Sequence, residues 1–440
     1  MKRYRLREEM NGIPEPPGKV WFWELEAGVI DAGRCIQCGT CVAACPSNSI
    51  GVDQDTNLPE LVKMCTGCSL CWDFCPRGGL RYEALWPPST VAAEPEEPPA
   101  PPAPSAPSVN GHPAPPSPAR AARADAADTY FTITGGPPAE GLGAVVDQFA
   151  VRASARADTV QDGGAVTAIL SALLAVGEID GAVVSRPGTD PDEPWKGVAT
   201  VATTPAELAA ASGSFYNQTM ALAALDLSGS SLPAKPRLAV VGTPCEVEGI
   251  RAMQARRWST GAHRVDAVVL TIALMCTKSF DYEGLILRKL RDERRVDLDR
   301  VSKIDVIRGR MIVEYADGQL AVDEPVKEFH DVALKGCEEC ADFLGRGADL
   351  SVGSVGSMDG WTSVLVRTER GRLAFEKARP RLDVRGLDDP AALVRLDNLD
   401  KRIALKALRR EFDPDGPMFI EYADHVRNYA DQPVPVEIRR

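Results

Sequence analysis

One twelve-residue pattern occurs twice in this chain. Cys35-Ile36-Gln37-Cys38-Gly39-Thr40-Cys41-Val42-Ala43-Ala44-Cys45-Pro46 is followed, thirty residues on, by Cys65-Thr66-Gly67-Cys68-Ser69-Leu70-Cys71-Trp72-Asp73-Phe74-Cys75-Pro76. Both read C-x2-C-x2-C-x3-C-P, the run of two-cluster bacterial ferredoxins. Three thiolates at two-residue intervals sit on one tight loop and reach three irons of one cube. The fourth Cys, held before a proline, points across to the other cube. The expected ligand sets are Cys35, Cys38 and Cys41 with Cys75, and Cys65, Cys68 and Cys71 with Cys45. Gly39 and Gly67 keep the loops slim, so backbone N–H groups can face sulfur. The alternative is a pair of zinc sites, but zinc takes four ligands and has no use for the third Cys and the Pro of each repeat. The pattern therefore favours two 4Fe–4S clusters in a small α+β ferredoxin-like domain. Such a unit moves single electrons and selects no substrate. Trp72 and Phe74 read as packing residues, not as electron relays.

Charge and cysteine usage narrow the class further. The 440 residues carry a net charge of -12, without the basic stripe a nucleic-acid binder needs. The basic N-terminus has no apolar run behind it, so no secretory signal is expected and the cytoplasm is the default compartment. Disulfides are rare there, which points the 12 Cys toward metal. The longest nearly apolar stretches, Ala165–Gly177 and Ala267–Cys276, are too short to span a bilayer. With 4 His in the chain, mixed Cys/His zinc sites have little to draw on.

Proline divides the chain. Pro87–Ala127 holds 13 Pro and 12 Ala in 41 residues, with no hydrophobic periodicity. It reads as a disordered or partly polyproline II linker, with His112 solvated inside it. The expected organisation is a head (1–86), a tether (87–127) and a body (128–440).

The body reads as α/β with a mixed, mostly parallel sheet. Apolar runs predict strands at 181–185, 238–241, 267–274, 349–353 and 362–367, and helices at 165–177, 218–226 and 246–255. Residues 304–309 and 311–315, with the Ala316-Asp317-Gly318 turn, predict an antiparallel hairpin region. Strands alternating with helices favour a parallel core. No G-x-G-x-x-G follows a strand, so a Rossmann dinucleotide site has no support. A glycine turn, Gln161-Asp162-Gly163-Gly164-Ala165-Val166-Thr167, opens the 165–177 helix. Such a start either offers N–H groups to a phosphate or is only a turn.

Four further cysteines remain. Cys245 and Cys276 follow predicted strands, and Cys337-Glu338-Glu339-Cys340 is a C-x-x-C pair. Strand C-terminal ends gather on one edge of an open α/β sheet, where ligands bind. A lone Cys at a strand end is commonly a buried small hydrophobe, and a C-x-x-C pair alone suits zinc or a redox dithiol. Four of them beside a two-cluster head favour a third 4Fe–4S cluster.

The segments QDGGAVTAIL (161–170), VVGTPCEVEGIR (240–251), LMCTKSFDYEGL (274–285) and KGCEECADFLGRGADLSVGSVGSMDGWTSVLVRTERG (335–371) resemble, in order, the coenzyme F420 hydrogenase/dehydrogenase beta-subunit family. The resemblance implies a flavin iron–sulfur oxidoreductase. It would exchange hydride between the deazaflavin coenzyme F420 and FAD and pass single electrons through clusters. The recipient would be a partner such as a hydrogenase, a quinone-reducing complex, a ferredoxin or another reductase. It places the third cluster on Cys245, Cys276, Cys337 and Cys340. It puts FAD against the 161–167 turn, chiefly Gln161, Asp162, Gly163, Gly164 and Thr167. Gly213, Ser214, Gly360, Trp361 and Thr362 become candidates for the flavin or deazaflavin pocket, and Lys278 and Arg367 for anion contacts. His263, His330 and His425 receive no role. Two other readings stay open: a ferredoxin-dependent reductase of the same family acting on a pigment macrocycle, and a non-catalytic electron relay.

Overall fold

The structure, a computed structural model, describes residues 21–78, 141–155, 161–227, 230–255 and 260–407. The proline-rich stretch 87–127, His112 and His425 lie outside them.

The head is built around its two cysteine runs. Strands β1 (Ile50–Val52) and β2 (Pro59–Leu61) pair antiparallel. Helices α1 (Thr40–Ala44) and α2 (Leu70–Asp73) start inside the runs. Each run turns at its second and fourth positions after the first Cys, with left-handed backbone at Gln37 and Gly39 in one and at Gly67 and Ser69 in the other. Glycine serves one of the two positions in each copy, and a polar residue tolerates the other. This turn aims the N–H of Gln37 at Cys35 Sγ and the N–H of Gly67 at Cys65 Sγ, each at 3.4 Å.

The body is organised by one sheet whose strands run in the order β13-β3-β12-β11-β7-β6-β4-β5. They are β3 (Asp147–Ala153), β4 (Gly181–Pro187), β5 (Gly197–Ala202), β6 (Leu238–Gly242), β7 (Val268–Leu274), β11 (Leu350–Gly353), β12 (Thr362–Val366) and β13 (Leu382–Arg385). β4, β6, β7 and β11 form a contiguous parallel core, flanked by antiparallel strands. The expected mixed sheet is present, with parallel pairing confined to that core. β6 and β12 are buried along their whole length, which is why they read as unbroken apolar runs.

Helix α3 (Ala165–Ala175) packs Ile169, Leu170 and Leu173 into a core shared with Phe375 of helix α5 (Glu369–Ala378). Helix α4 (Pro244–Ala255) follows β6 directly, and helix α6 is Pro390–Ala407. A second antiparallel sheet joins β8 (Val301–Ile307), β9 (Arg310–Tyr315) and β10 (Leu320–Pro325), as the hairpin pattern predicts. The 218–226 segment is helical only as a short 3-10 turn at Ala221–Leu225.

The head is docked on the body. Ala43 and Ala44 of α1, Leu70 of α2 and the adjoining Phe74 share one buried core with Leu222, Leu225, Ile250 and Met253 of the body. Burial of a large apolar side chain contributes roughly 1.5–3 kcal/mol, so Leu70 and Phe74 alone hold the head firmly. Backbones meet as closely as side chains. A Cβ on Gly336 would stand 2.1 Å from Arg34 O, and one on Gly249 would stand 2.3 Å from Thr40 Oγ1. Among the described residues no helix is long and apolar enough to cross a membrane.

Candidate electron-transfer site

All twelve thiols are free. In the head, Cys35, Cys38, Cys41 and Cys75 line one cavity, as the crossed ligand pattern requires. Cys75 acts electrostatically on Cys35, Cys38 and Cys41, and Cys45 acts on Cys68 and Cys71. Burial pushes the Cys35 thiol up to about 12, and burial likewise raises Cys38, Cys41 and Cys71 well above the ordinary thiol range. Such thiols hold their protons until a cationic metal displaces them. The indole N–H of Trp72, fully buried among these cysteines, has no hydrogen-bond acceptor among the described residues. The sulfur of a bound cluster would supply one. The residues present therefore fit the two clusters.

The body set is assembled by the sheet. Cys245 lies in the first turn of α4, just past β6, and Cys276 lies just past β7 with its N–H on Phe343 O at 3.1 Å. Cys337 and Cys340 sit on a short 3-10 turn, Lys335–Glu339, and its end. Burial raises Cys276 first, then Cys337 and Cys340 as neighbours, and Cys340 in turn presses on Cys245. The four thiols thus lie within electrostatic reach of one another although they span 96 positions. No three His, Cys, Asp or Glu side chains among the described residues converge on one ion. A zinc ion needs all its thiolates at about 2.3 Å from one point, whereas a cube spreads four ligands over its irons. Four thiol donors are the chemistry that a cube takes.

Polar contacts to these sulfurs include residues that sequence reasoning missed. Ser279 N donates to Cys337 Sγ at 3.5 Å, and Thr243 Oγ1 lies 3.1 Å from Cys245 Sγ. Gln218 joins the two, accepting from Ser279 Oγ at 2.8 Å and donating to Thr243 Oγ1 at 3.0 Å. No motif marks Gln218; only the fold brings it here.

The two thiol sets face each other across the docking surface. After its own burial, the strongest influence on Cys245 is Cys38 of the head. Arg34, the residue before Cys35, makes a bidentate ion pair at 2.7 and 2.8 Å with Glu339, which lies inside the C-x-x-C turn. Both side chains are buried. Arg34 also donates to Gly28 O and to Arg77 O. Arg77, two residues past Cys75, donates to Gly336 O at 2.6 Å. Neither arginine was singled out by the sequence pattern, because each is defined by a partner about 260 to 300 positions away.

The 161–167 turn lies at the same sheet edge, beside β3 and β12. Gly163 donates to Thr362 Oγ1 at 3.0 Å and accepts from Ala153 N at 2.7 Å. A Cβ there would strike Val151 O and Thr362 N, so this glycine is required by contact with the protein. Gly164 is left-handed and starts α3. The N–H groups of Ala165, Val166 and Thr167 open that helix, and no backbone acceptor among the described residues takes them. Gln161 meets the small sheet through Ile304 O and Lys303 Nζ. Trp361 lies between Arg152 and Arg385, 4.8 and 4.1 Å from its ring centre. Gly213, with a positive φ, and Ser214 lead to Tyr216, whose hydroxyl donates to Asp305 and feels Asp162. The turn and 360–362 are therefore brought together, while 213–214 approach through Tyr216.

Two anion candidates change meaning. Arg367 is buried and donates to Ser351 Oγ and to the carbonyls of Leu142, Ala144 and Leu344. It ties the segment before β3 to β11 and β12, and is no ligand contact. Lys278 lies by the body thiols, where its charge lowers Cys337. His330 is exposed, consistent with no role.

Known proteins share this arrangement. Residues 149–226 and 236–389 match the N-terminal and C-terminal parts of the coenzyme F420 hydrogenase/dehydrogenase beta subunit, and residues 28–81 match a 4Fe–4S dicluster domain. The chain belongs to the coenzyme F420 hydrogenase/dehydrogenase beta-subunit family. It is 35% identical over 50% of its length to coenzyme F420 hydrogenase subunit beta of Methanothermobacter thermautotrophicus, covering 75% of that protein. It is 27% identical over 80% of its length to the coenzyme F420-dependent sulfite reductase of Methanocaldococcus jannaschii, of which it spans 47%. A chain of the F420-reducing [NiFe] hydrogenase complex of Methanosarcina barkeri superposes with a TM-score of 0.56 at 26% identity. That match covers 62% of this chain and 94% of the solved chain. Within the family framework the head is a dicluster electron-transfer unit fused ahead of the beta-subunit fold.

Proposed function

We propose that this chain takes reducing equivalents from reduced coenzyme F420 as hydride and delivers them singly, through its head, to a partner protein. The observation that supports this reading is the succession of thiol sets across the docked head and body: Cys38 of the head acts electrostatically on Cys245 of the body, and Cys71 of the second head set acts on Cys41 of the first. FAD, when bound, supplies the exchange between two-electron hydride and single-electron chemistry that a deazaflavin and iron–sulfur clusters cannot make directly.

The residues that would hold FAD are those opening the 11-residue helix at Ala165–Thr167, whose N–H groups point to its start and suit a phosphate, with Gln161 and Asp162 alongside. Thr362 and Val151 fix the turn from below through Gly163. Trp361 holds the guanidiniums of Arg152 and Arg385 against its ring, and this positive charge at the same sheet edge suits an anionic coenzyme. Cys245, Cys276, Cys337 and Cys340 would hold a third 4Fe–4S cluster. Head, linker and body divide at 1–86, 87–127 and 128–440 in this reading.

Anaerobic protein mixed with reduced coenzyme F420 and a viologen dye tests it. About one FAD per chain and dye reduction at the expense of the deazaflavin are expected. Flavin-free protein that leaves the deazaflavin unchanged would refute the reading.

A further inference from the structure

Arg77 touches both halves of the junction. Its backbone follows the Cys75-Pro76 end of the second cysteine run, and its side chain lines the cavity formed by Cys35, Cys38, Cys41 and Cys75. Its guanidinium reaches out of the head to Gly336 O at 2.6 Å, the carbonyl that immediately precedes Cys337. A further bond runs to Pro76 O at 3.0 Å, and its own carbonyl accepts from Arg34 Nη2 at 2.8 Å. The residue is 3% exposed. The neighbouring arginine differs: Arg34 is neutralised by a bidentate carboxylate, Glu339, whereas the direct hydrogen bonds of Arg77 run to carbonyl dipoles.

We propose that Arg77 is a positioning residue shared by two redox centres, a buried cation that raises the reduction potentials of the Cys35/Cys38/Cys41/Cys75 set and the Cys245/Cys276/Cys337/Cys340 set together. The inference rests on the third-cluster reading of the body thiols.

The electrostatics agree with the geometry. A guanidinium keeps its charge even when buried, so Arg77 is a fixed cation between Cys75 and the turn that carries Cys337. Arg77 in turn favours the thiolates of Cys35 and Cys75 on one side and of Cys337 and Cys340 on the other. Lys278 acts on Cys337 only from the body side. An electron added to either set adds one negative charge next to the other, and in a low-dielectric junction that repulsion is large. A fixed cation between the sets offsets it on whichever side the electron resides. Burial, net charge and hydrogen bonds to sulfur are the levers by which a protein sets cluster potentials, and Arg77 supplies charge to two clusters at once.

The experiment is an EPR-monitored redox titration of the full chain, with iron analysis, on wild type, Arg77→Met, Arg77→Lys and Glu339→Gln. Signals are assigned by their loss in Cys276→Ala for the body set and Cys38→Ala for the first head set. Wild-type iron near eight atoms, with no body signal, would refute the third-cluster reading itself. With about twelve irons present, Arg77→Met lowers both assigned potentials and leaves the signal of the second head set in place, while Arg77→Lys stays close to wild type. Unchanged potentials in fully loaded Arg77→Met would overturn the proposal, as would an equal shift of all three signals. If Arg77→Met fails to retain iron, Glu339→Gln decides. Removing this carboxylate beside the cation raises both potentials if the junction charge is shared, and no shift overturns it.

Discussion

The eight cysteines of the head and the four of the body are placed by different physics. In the head each set of three lies on one short loop whose left-handed turns, Gln37/Gly39 and Gly67/Ser69, are fixed locally. The fourth ligand crosses between two adjacent runs. In the body the thiols come from three elements, Cys245 past β6, Cys276 past β7 and the Cys337/Cys340 pair on the turn before β11, and only the closed sheet brings them near one another. Local loops make a site that depends on spacing. A sheet edge makes a site that depends on the whole fold, and it can be placed beside a substrate.

The largest effect expected from breaking this comparison is at Cys276. Cys276→Ala leaves three sulfurs on the body set, and iron should fall by about four atoms per chain, with the head signals intact. Were Cys276 only packing, iron would stay unchanged and stability alone would fall, by about 1–2 kcal/mol.

Next comes the junction. Glu339→Ala strands the buried Arg34 guanidinium, and chemical denaturation should show a loss of about 3–5 kcal/mol. A value near zero would mean that the head is held by its apolar contacts alone. A smaller loss is expected from Gly249→Ala, whose new methyl group meets the Thr40 side chain at the docking surface. Overpacking of this kind costs about 1–3 kcal/mol. It should also slow reduction of the head by reduced coenzyme F420 more than reduction of the body. Equal slowing of both would place the damage elsewhere. The smallest effect is at Trp361. Its loss removes two cation–π contacts, each worth about 0.5–1 kcal/mol at exposed sites. The outcome should be weaker deazaflavin binding with little change in melting temperature.

The difference between the two sets also explains what could be read before folding. The head spacing is contiguous, so its ligand pairing was legible, and Cys75 indeed sides with Cys35, Cys38 and Cys41. The central strands were legible because burial on both faces makes them uniformly apolar. β3, β5 and β13, at or near the sheet margins, mix polar and apolar residues and gave no such signal. Gln218, Arg34 and Arg77 were invisible because their roles depend on partners from distant parts of the chain. Arg367 was misjudged for the same reason: its carbonyl partners around Leu142 and Leu344 exist only in the folded sheet. The glycine turn reads in the sequence as room for a phosphate or as a plain turn; at Gly163 the fold adds close contact with Val151 and Thr362, which the sequence does not reveal.

The central claim is that the body thiols form a redox centre continuous with the head. The most direct test is the iron and acid-labile sulfide content of the anaerobically purified full chain. About twelve irons and twelve sulfides per chain are expected, matching three sets of four cysteines. About eight of each, with the four body thiols open to alkylation in the folded protein, would contradict it.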